Sequence, residues 1–253
     1  MSKKIVIGII PARMGSSRFP GKPLADICGK AMIHHVYFRS EKSSMLDDVY
    51  IATCDKEIED YCLANNMNVI MTKSTHERCS DRCAEAMVKV EKDLGVKIDI
   101  LVMIQGDEPL VTADMIDSAV NELRADEHAK VVNLMAEIKT VEEYEDPNEV
   151  KVVIDKNNYA IYFSREPIPS RKKGCDKFPM YKQVCIIPFT RESLLEFNRM
   201  EQTSLEIIES VDMLRFIENG MKVKMVLTGK SVYSVDSIDD LKRVSKILLT
   251  END

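Results

Sequence analysis

Three cations stand close together in a loop near the start of the chain: Arg13, Arg18 and Lys22. The loop follows an apolar, β-branched run that ends at Pro11. Such a run predicts a buried parallel strand, and ligands of open α/β sheets lie beyond the carboxyl ends of the strands. Backbone N–H groups and cations at that place suit a phosphate chain. The alternative is a surface loop with solvated charges. Pro23 after Lys22 excludes a Walker A loop, and the dinucleotide-binding glycine motif is absent.

Two carboxylates occupy comparable places along the chain. Asp107 comes shortly after the apolar run Ile98–Ile104, and Asp236 follows the strand-like run Ser231–Val235. Mg²⁺ commonly binds one or two carboxylates together with phosphate oxygens, so both residues are candidate metal ligands. Each could instead be a turn or helix-capping acid. Two acids and three cations around a polyphosphate are typical of phosphoryl or nucleotidyl transfer.

The elements that must position these side chains alternate between strand and helix. This alternation predicts an α/β fold with a Rossmann-like, doubly wound, mostly parallel sheet. The predicted strands after the first are Val49–Thr53, Met67–Met71, Ile98–Ile104 and Lys130–Met135, and the predicted helices are Met32–Ser40, Lys56–Asn65, Cys79–Leu94 and Thr112–Leu123.

The pattern changes near Asp146. Two strand-like runs are joined there by Asp155-Lys156-Asn157-Asn158, which is hairpin chemistry because Asn tolerates the left-handed conformation. We therefore expect an inserted antiparallel lobe at about 146–189 within a single domain that spans 1–253. The later predicted elements are a strand-like run Tyr181–Phe189, helices Glu192–Asn198 and Leu205–Ile217, strands Val223–Leu227 and Ser231–Val235, and a last helix that begins at Ser237.

Composition excludes several classes of protein. The 253 residues carry a net charge of −7, which argues against a nucleic-acid partner. The 7 cysteines are odd in number and form no C-x-x-C pair, so they indicate free thiols in a reducing, cytoplasmic location. We expect no membrane association, because no apolar run approaches the length of a spanning helix, and the short apolar run at the start predicts a strand instead of a signal peptide.

One resemblance covers nearly the whole chain. The stretch Pro11-Ala12-Arg13-x-x-Ser16-Ser17-Arg18-Phe19-Pro20-Gly21-Lys22-Pro23-Leu24 is similar to the signature of the 3-deoxy-manno-octulosonate (Kdo) cytidylyltransferases, also called CMP-Kdo synthetases. The similarity continues, in the same order and spacing, at Ser80-Asp81-Arg82, Gln105-Gly106-Asp107-Glu108-Pro109, Pro147-Asn148-x-Val150-Lys151, Tyr162-Phe163-Ser164-Arg165 and Val235-Asp236-Ser237.

The resemblance implies a transferase with a nucleotide-diphospho-sugar transferase-like fold. It further implies a homodimer, Mg²⁺, and a reaction in which an acidic sugar attacks the α-phosphate of CTP and releases pyrophosphate, as in lipopolysaccharide biosynthesis. The implied catalytic residues are Arg13, Lys22, Asp107 and Asp236, with Asp107 and Asp236 as metal ligands. The implied nucleotide-binding residues are Pro11, Ala12, Arg13, Ser16, Ser17, Arg18, Lys22, Ser80, Arg82 and Gln105, with Arg82 and Gln105 as candidates for the cytosine ring.

The chain departs from the family pattern in the regions that the family uses for the sugar acid. Gln183, Cys185 and Ile187 stand where His, Gly and Tyr are usual, and Met213 follows Asp212 where Gln is usual. We take these five residues as candidates for acceptor binding. Arg165 is a sixth candidate, since it matches the family and could pair with a carboxylate; the alternative for Arg165 is a structural salt bridge.

Three functions remain open on these grounds. The chain is a cytidylyltransferase that uses Kdo, or one that rejects Kdo for a modified acceptor such as 8-amino-Kdo, another sugar acid or a phosphonate, or a non-catalytic nucleotide-binding protein. A pocket that loses a hydrogen-bonding group discriminates strongly against its former substrate. The helix Leu205–Ile217 and the lobe are the expected dimer surfaces.

Overall fold

The computed structural model describes residues 3–15, 19–174, 178–230 and 233–251. The chain divides into two compact units, the first formed by 1–117 with 232–253 and the second by 118–231. Among the described residues, no helix is long and apolar enough to cross a membrane.

Strands and helices alternate through most of the chain. The strands are β1 (Val6–Pro11), β2 (Asp26–Ile27), β3 (Lys30–Ala31), β4 (Asp48–Thr53), β5 (Val69–Met71), β6 (Ile100–Ile104), β7 (Val132–Glu137), β8 (Lys151–Ile154), β9 (Ala160–Ser164), β10 (Tyr181–Val184), β11 (Ile186–Thr190) and β12 (Lys224–Thr228). The helices are α1 (Met32–Ser40), α2 (Lys56–Ala64), α3 (Cys79–Leu94), α4 (Ala113–Ala125), α5 (Val141–Glu145), α6 (Arg191–Phe197), α7 (Ser204–Glu209), α8 (Met213–Glu218) and α9 (Ile238–Glu251).

The first unit is built on four parallel strands in the order β6-β1-β4-β5. Every residue of β1 and of β6 is buried, which explains why both strands are apolar without alternation. Helix α3 has the predicted bounds and ends at Gly95, whose φ of 67° suits glycine. The predicted α/β class with a parallel sheet is confirmed.

Helix α9 completes the first unit. Ser237 and Asp240 form a reciprocal cap at its start, in which the Asp240 carboxylate accepts from the Ser237 N–H and Ser237 Oγ accepts from the Asp240 N–H. Val244 and Leu248 of α9 lie in one buried cluster, which also holds Ile27, Met32, Leu110 and Val235. This packing ties the segment around Asp236 to the unit.

The second unit contains a five-stranded sheet in the order β12-β7-β10-β8-β9. Strand β12 runs parallel to β7, and the other neighbours are antiparallel. The predicted hairpin joins β8 to β9, with Asn158 in the left-handed conformation at φ 60°. The antiparallel strands predicted for 146–189 are therefore part of a larger unit, 118–231, and share its sheet with β7 and β12.

Three predicted elements differ from the structure. The expected single helix Leu205–Ile217 is two helices, α7 and α8, because Ser210 adopts a left-handed φ of 53°. The run Tyr181–Phe189 is interrupted at Cys185 and forms β10 and β11. The described part of the strand predicted at Ser231–Val235, residues 233–235, is not a strand, and its first two residues lie outside the described residues.

Candidate active site

Three of the predicted catalytic side chains meet in the first unit. Lys22 Nζ donates to Asp107 Oδ2 at 2.7 Å and to Asp236 Oδ1 at 3.1 Å. The three side chains are distant in sequence and mostly buried, with exposures of 13% for Lys22, 24% for Asp107 and 18% for Asp236. The sequence therefore identified a cluster that folding assembles from three separate segments.

The backbone next to this cluster requires glycine at two positions, Gly21 and Gly106. Gly21 precedes the short helical turn Lys22–Leu24 and has φ 72°, a conformation in which a side chain is strained. Gly106 lies against the end of β1, where an added Cβ would stand 3.0 Å from the Pro11 carbonyl oxygen. The Val235 N–H donates to the Asp107 carbonyl at 2.9 Å, which brings the Asp107 and Asp236 segments side by side.

The electrostatics of the cluster keep Lys22 charged. Burial alone would lower the pKa of Lys22, but the charges and hydrogen bonds of Asp107 and Asp236 outweigh it and raise that pKa above its usual value. The ammonium therefore compensates two neighbouring carboxylates that would otherwise repel each other. Such a cluster can exchange its internal ion pairs for a metal ion and a phosphate chain.

The donor set fits a divalent cation shared with a nucleotide. Asp107 and Asp236 both reach the same Nζ atom, so their carboxylates converge on one place. Within the described parts of the chain, no group of three or more His, Cys, Asp or Glu side chains could hold a metal by itself. A cation at Asp107 and Asp236 would thus take its remaining ligands from water and phosphate oxygens, which is the usual coordination of Mg²⁺.

A small cavity of about 60 Å³ opens at the end of β1. Its wall includes three of the predicted nucleotide-binding residues from the β1 loop, and it includes Cys79 and Arg82 from α3; the full lining is Pro11, Ala12, Arg13, His76, Glu77, Arg78, Cys79 and Arg82. Arg13 is exposed at its mouth. The cavity therefore joins the first loop to the start of α3.

Of the two residues predicted to contact the cytosine ring, Gln105 is bonded to this wall and Arg82 is part of it. Cys79 Sγ donates to Gln105 Oε1 at 3.4 Å. Arg82 is only 3% exposed, and its guanidinium contacts Thr72 Oγ1 and, at 3.6 Å, Cys54 Sγ. Arg82 is thus a rigid part of the wall.

The other predicted nucleotide-binding residues are placed differently. Ser80 is fully buried in the first turn of α3. Ser16, Ser17 and Arg18 lie outside the described residues.

Several residues that hold this region were missed by sequence reasoning. Asp55 follows β4 and accepts from the Met14 N–H at 2.8 Å, which anchors the cationic loop. His76 contacts the carboxylate of Glu85 in α3. The signal for Asp55 was available, because it follows a buried strand at the same sheet edge as Pro11. No such signal marked His76 and Glu85, which lie nine residues apart across a loop and a helix start.

The six candidate acceptor residues all belong to the second unit. Three of them, Arg165, Ile187 and Met213, are bonded to the backbone or buried in the core. Arg165 donates from Nε to the Glu209 carbonyl at 2.7 Å, from Nη1 to the Pro147 carbonyl at 2.8 Å and from Nη2 to the Ser210 carbonyl at 3.4 Å. Met213 is fully buried and Ile187 is 2% exposed. Cys185 and Asp212 are half-buried.

Gln183 is different, because its amide orientation is determined by a buried neighbour. Asn133 is fully buried, and its Nδ2 donates to the carbonyls of Leu134 and Val184. Its Oδ1 must therefore be the atom that accepts from Gln183 Nε2, at 2.6 Å. The Gln183 side chain is half-buried. Its Oε1 is the atom that can accept a hydrogen bond from a ligand.

Known proteins resemble this chain over nearly its whole length. A family model described as cytidylyltransferase matches residues 7–223. A 3-deoxy-manno-octulosonate cytidylyltransferase from Geobacter metallireducens is 39% identical over 249 residues, which cover 94% of this chain and 96% of the relative. A relative from Arabidopsis thaliana, with the same name and the word mitochondrial, is 38% identical and covers 98% of this chain and 84% of its own length.

A solved structure is also similar. CMP:2-keto-3-deoxy-manno-octonic acid synthetase complexed with CTP superposes with a TM-score of 0.89 at 33% identity, and the match covers 98% of this chain and 100% of the other.

Proposed function

Because this chain belongs to the cytidylyltransferase family, and within it to the 3-deoxy-manno-octulosonate cytidylyltransferases, we propose that it transfers CMP from CTP to an acidic sugar of the Kdo type. The observation that carries the proposal is the meeting of Lys22 with Asp107 and Asp236. These are the charges that a triphosphate and its cation need, and they lie next to the loop that carries Arg13.

The reaction needs positioning and charge stabilisation more than covalent catalysis. The anomeric hydroxyl of the sugar attacks the α-phosphorus of CTP, a new phosphorus–oxygen bond forms, and the bond to the β-phosphate breaks with release of pyrophosphate. The hydroxyl proton passes to solvent. Lys22 and Arg13 would neutralise the negative charge that develops on the phosphates. Arg82, held rigidly in the cavity wall, would position the nucleotide.

Mg²⁺ is the proposed metal ion, and Asp107 and Asp236 are its proposed ligands. When bound, the cation would supply positive charge that lowers the repulsion between the phosphates and an incoming hydroxyl. Lys22 would pair with phosphate instead of the carboxylates. The chain contributes the two carboxylates from segments that are fixed to one another by the Val235–Asp107 hydrogen bond.

One observation favours a second candidate, in which the acceptor is a modified Kdo. Gln183 Nε2 is bound to Asn133, so Gln183 offers a hydrogen-bond acceptor, its Oε1, to a ligand. The ammonium of 8-amino-Kdo would donate a charge-assisted hydrogen bond to this oxygen, which is stronger than the neutral hydrogen bond that the hydroxyl of Kdo would donate. A different sugar acid or a phosphonate has no comparable support.

Homodimerisation is part of the proposal. In the second unit, Ile207 and Ile208 of α7 are 59% and 74% exposed, and Ile161 on the edge strand β9 is 56% exposed. Exposed apolar side chains of this size suit burial against a second copy.

A cytoplasmic location is proposed because the sequence has no C-x-x-C pair and an odd number of cysteines. The Arabidopsis thaliana relative is named mitochondrial.

The direct test is pyrophosphate release from CTP and Mg²⁺ with Kdo and 8-amino-Kdo in parallel. Turnover of Kdo supports the first candidate, and turnover of 8-amino-Kdo alone supports the second. CTP binding without turnover of any sugar acid would overturn both and leave a non-catalytic nucleotide-binding protein.

A further inference from the structure

A second cavity of the first unit, distinct from the one at the end of β1, concentrates positive charge. It has a volume of about 250 Å³ and lies between α1, the adjoining strand β3 and α9. Lys30, Arg39 and Lys42 line it together with His34 and His35, and none of its lining residues is acidic. In a chain with a net charge of −7, a cavity lined by three permanent cations and no carboxylate is unexpected for a merely solvated surface.

The cations are available to a ligand to different degrees. Lys30 and Lys42 form no ion pair with any described residue, and both are exposed at the cavity. The Arg39 Nε–H donates to the Val111 carbonyl at 2.8 Å, which fixes the plane of its guanidinium. The two adaptable ammonium groups of Lys30 and Lys42 suit a phosphate group, and Arg39 adds a third positive charge to the cavity wall.

The histidines add a polar atom without a partner. His34 Nδ1 is buried and has no hydrogen-bond partner among the described residues. Burial, together with the charges of Lys30 and His35, lowers the pKa of His34. The Tyr61 ring of α2 is T-shaped to the His34 ring, with the two ring centroids 6.4 Å apart. An anion in the cavity would oppose the repulsion from Lys30 and favour the charged form of His34.

The remaining walls indicate the size and character of the ligand. The ring centroids of Phe38 and His34 are 4.4 Å apart, and Leu248 of α9 also lines the cavity. A volume near 250 Å³ is smaller than typical pockets for drug-sized ligands, which begin at about 300 Å³. A compact anion whose body presents C–H groups, such as a sugar phosphate, can meet the cations and pack against the rings.

We infer that the cavity lined by Lys30, His34, Arg39 and Lys42 is a binding site for a small phosphorylated metabolite, separate from the nucleotide site. The inference stands on the charge, partners and shape of this cavity and is independent of the proposed transferase activity. A phosphorylated ligand could be organic or inorganic, and a comparison of glucose 6-phosphate with inorganic phosphate distinguishes the two.

The test is an NMR titration of the histidine ring signals of the full chain at low ionic strength. The probes are glucose 6-phosphate, inorganic phosphate and sodium chloride at matched ionic strength. The chain has 4 histidines, and they report on different places. His34 and His35 line the proposed site, His76 lines the cavity at the end of β1, and His128 is exposed in the second unit.

The expected result is saturable shifts of His34 and His35 with a higher His34 titration midpoint, while His76 and His128 do not follow the same curve. The double variant Lys30→Gln with Lys42→Gln should bind about tenfold more weakly, since two charges are lost at a partly screened site. The matched double variant Lys92→Gln with Lys156→Gln removes the same charge elsewhere and should bind like the wild type.

Two results would overturn the inference. One is an equal response to sodium chloride, which would indicate screening only. The other is an affinity that the Lys30 and Lys42 double variant leaves within twofold of the wild type. Binding of inorganic phosphate as tight as that of glucose 6-phosphate would sustain the anion site and show that Phe38 and Leu248 contribute nothing to it.

Discussion

Lys22 in the first unit and Arg165 in the second are both cations that the sequence marks as functional, yet their surroundings differ. Lys22 is held by two carboxylates. A metal ion can bind these carboxylates in its place, and a phosphate chain can pair with the lysine. Arg165 is held by three backbone carbonyls, those of Pro147, Glu209 and Ser210. The first arrangement is suited to exchange partners during a reaction, and the second is suited to hold a fold.

The largest effect should come from the carboxylates of the first unit. Asp107→Asn keeps the size of the side chain but removes one charge from the site shared with Lys22. We expect kcat for pyrophosphate release to fall by about 10²–10³-fold. The matched control is Asp93→Asn on the exposed side of α3, which should leave kcat unchanged. Equal rates for Asp107→Asn and the wild type would remove Asp107 from the catalytic set.

Substitution of Arg165 should mainly lower the stability of the fold. Arg165→Ala removes three hydrogen bonds to carbonyls of Pro147, Glu209 and Ser210, and we expect the free energy of unfolding to fall by about 2–3 kcal/mol. Urea denaturation measures this, with Lys172→Ala on the neighbouring exposed loop as the control. Unchanged stability combined with a higher KM for the sugar acid would instead place Arg165 at the acceptor.

Gln183 tests whether the second unit selects the acceptor. Gln183→His replaces an amide oxygen that can only accept a hydrogen bond by a ring that can donate one. We expect the ratio of kcat/KM for Kdo over 8-amino-Kdo to rise by about tenfold. Parallel pyrophosphate assays with the two sugars give this ratio directly. A ratio that stays within twofold of the wild type would exclude Gln183 from acceptor selection.

The smallest effect concerns Glu85, beside the cavity at the end of β1. Burial alone would raise the pKa of Glu85, but hydrogen bonds from Lys89, His76 and the Lys73 backbone outweigh it and lower the pKa to about 2. A depressed carboxyl pKa stabilises the fold above the unfolded pKa, and this contribution is lost as the pH falls toward 2.

Glu85→Gln should therefore reduce the loss of stability between pH 6 and pH 3, by on the order of 1 kcal/mol after allowance for solvent screening. Thermal denaturation at the two pH values measures the difference. Glu127→Gln, at an exposed position of the second unit, is the control. The same acid-side loss in Glu85→Gln and the wild type would contradict the assigned hydrogen bonds.

Much of the first unit could be predicted because its signals are local and repeated. The buried strands β1 and β6 are apolar throughout, and α1 and α3 have the predicted bounds. Strand ends at one sheet edge then bring Lys22 and Asp107 together by topology alone. The contact between Lys22 and two carboxylates at once follows from the packing of α9, which the sequence pattern does not reveal.

Predictions for the second unit were weaker because its determinants are non-local. The break at Ser210 is a left-handed residue of a type that usually avoids this conformation, so periodicity alone extended the helix. Met213 and Ile187 are acceptor candidates only because they depart from the family pattern. Both are buried core residues in the structure. The role of Asn133 could not be read from sequence, since its partner Gln183 lies 50 residues away.

The central claim is that Asp107 and Asp236 exchange Lys22 for a divalent cation when CTP binds. Electron paramagnetic resonance of Mn²⁺, as a substitute for Mg²⁺, measures metal binding to the full chain with and without CTP. The account predicts tight Mn²⁺ binding that requires CTP in the wild type and is lost in the double variant Asp107→Asn with Asp236→Asn. Mn²⁺ binding of equal strength in that double variant, with CTP bound, would contradict it.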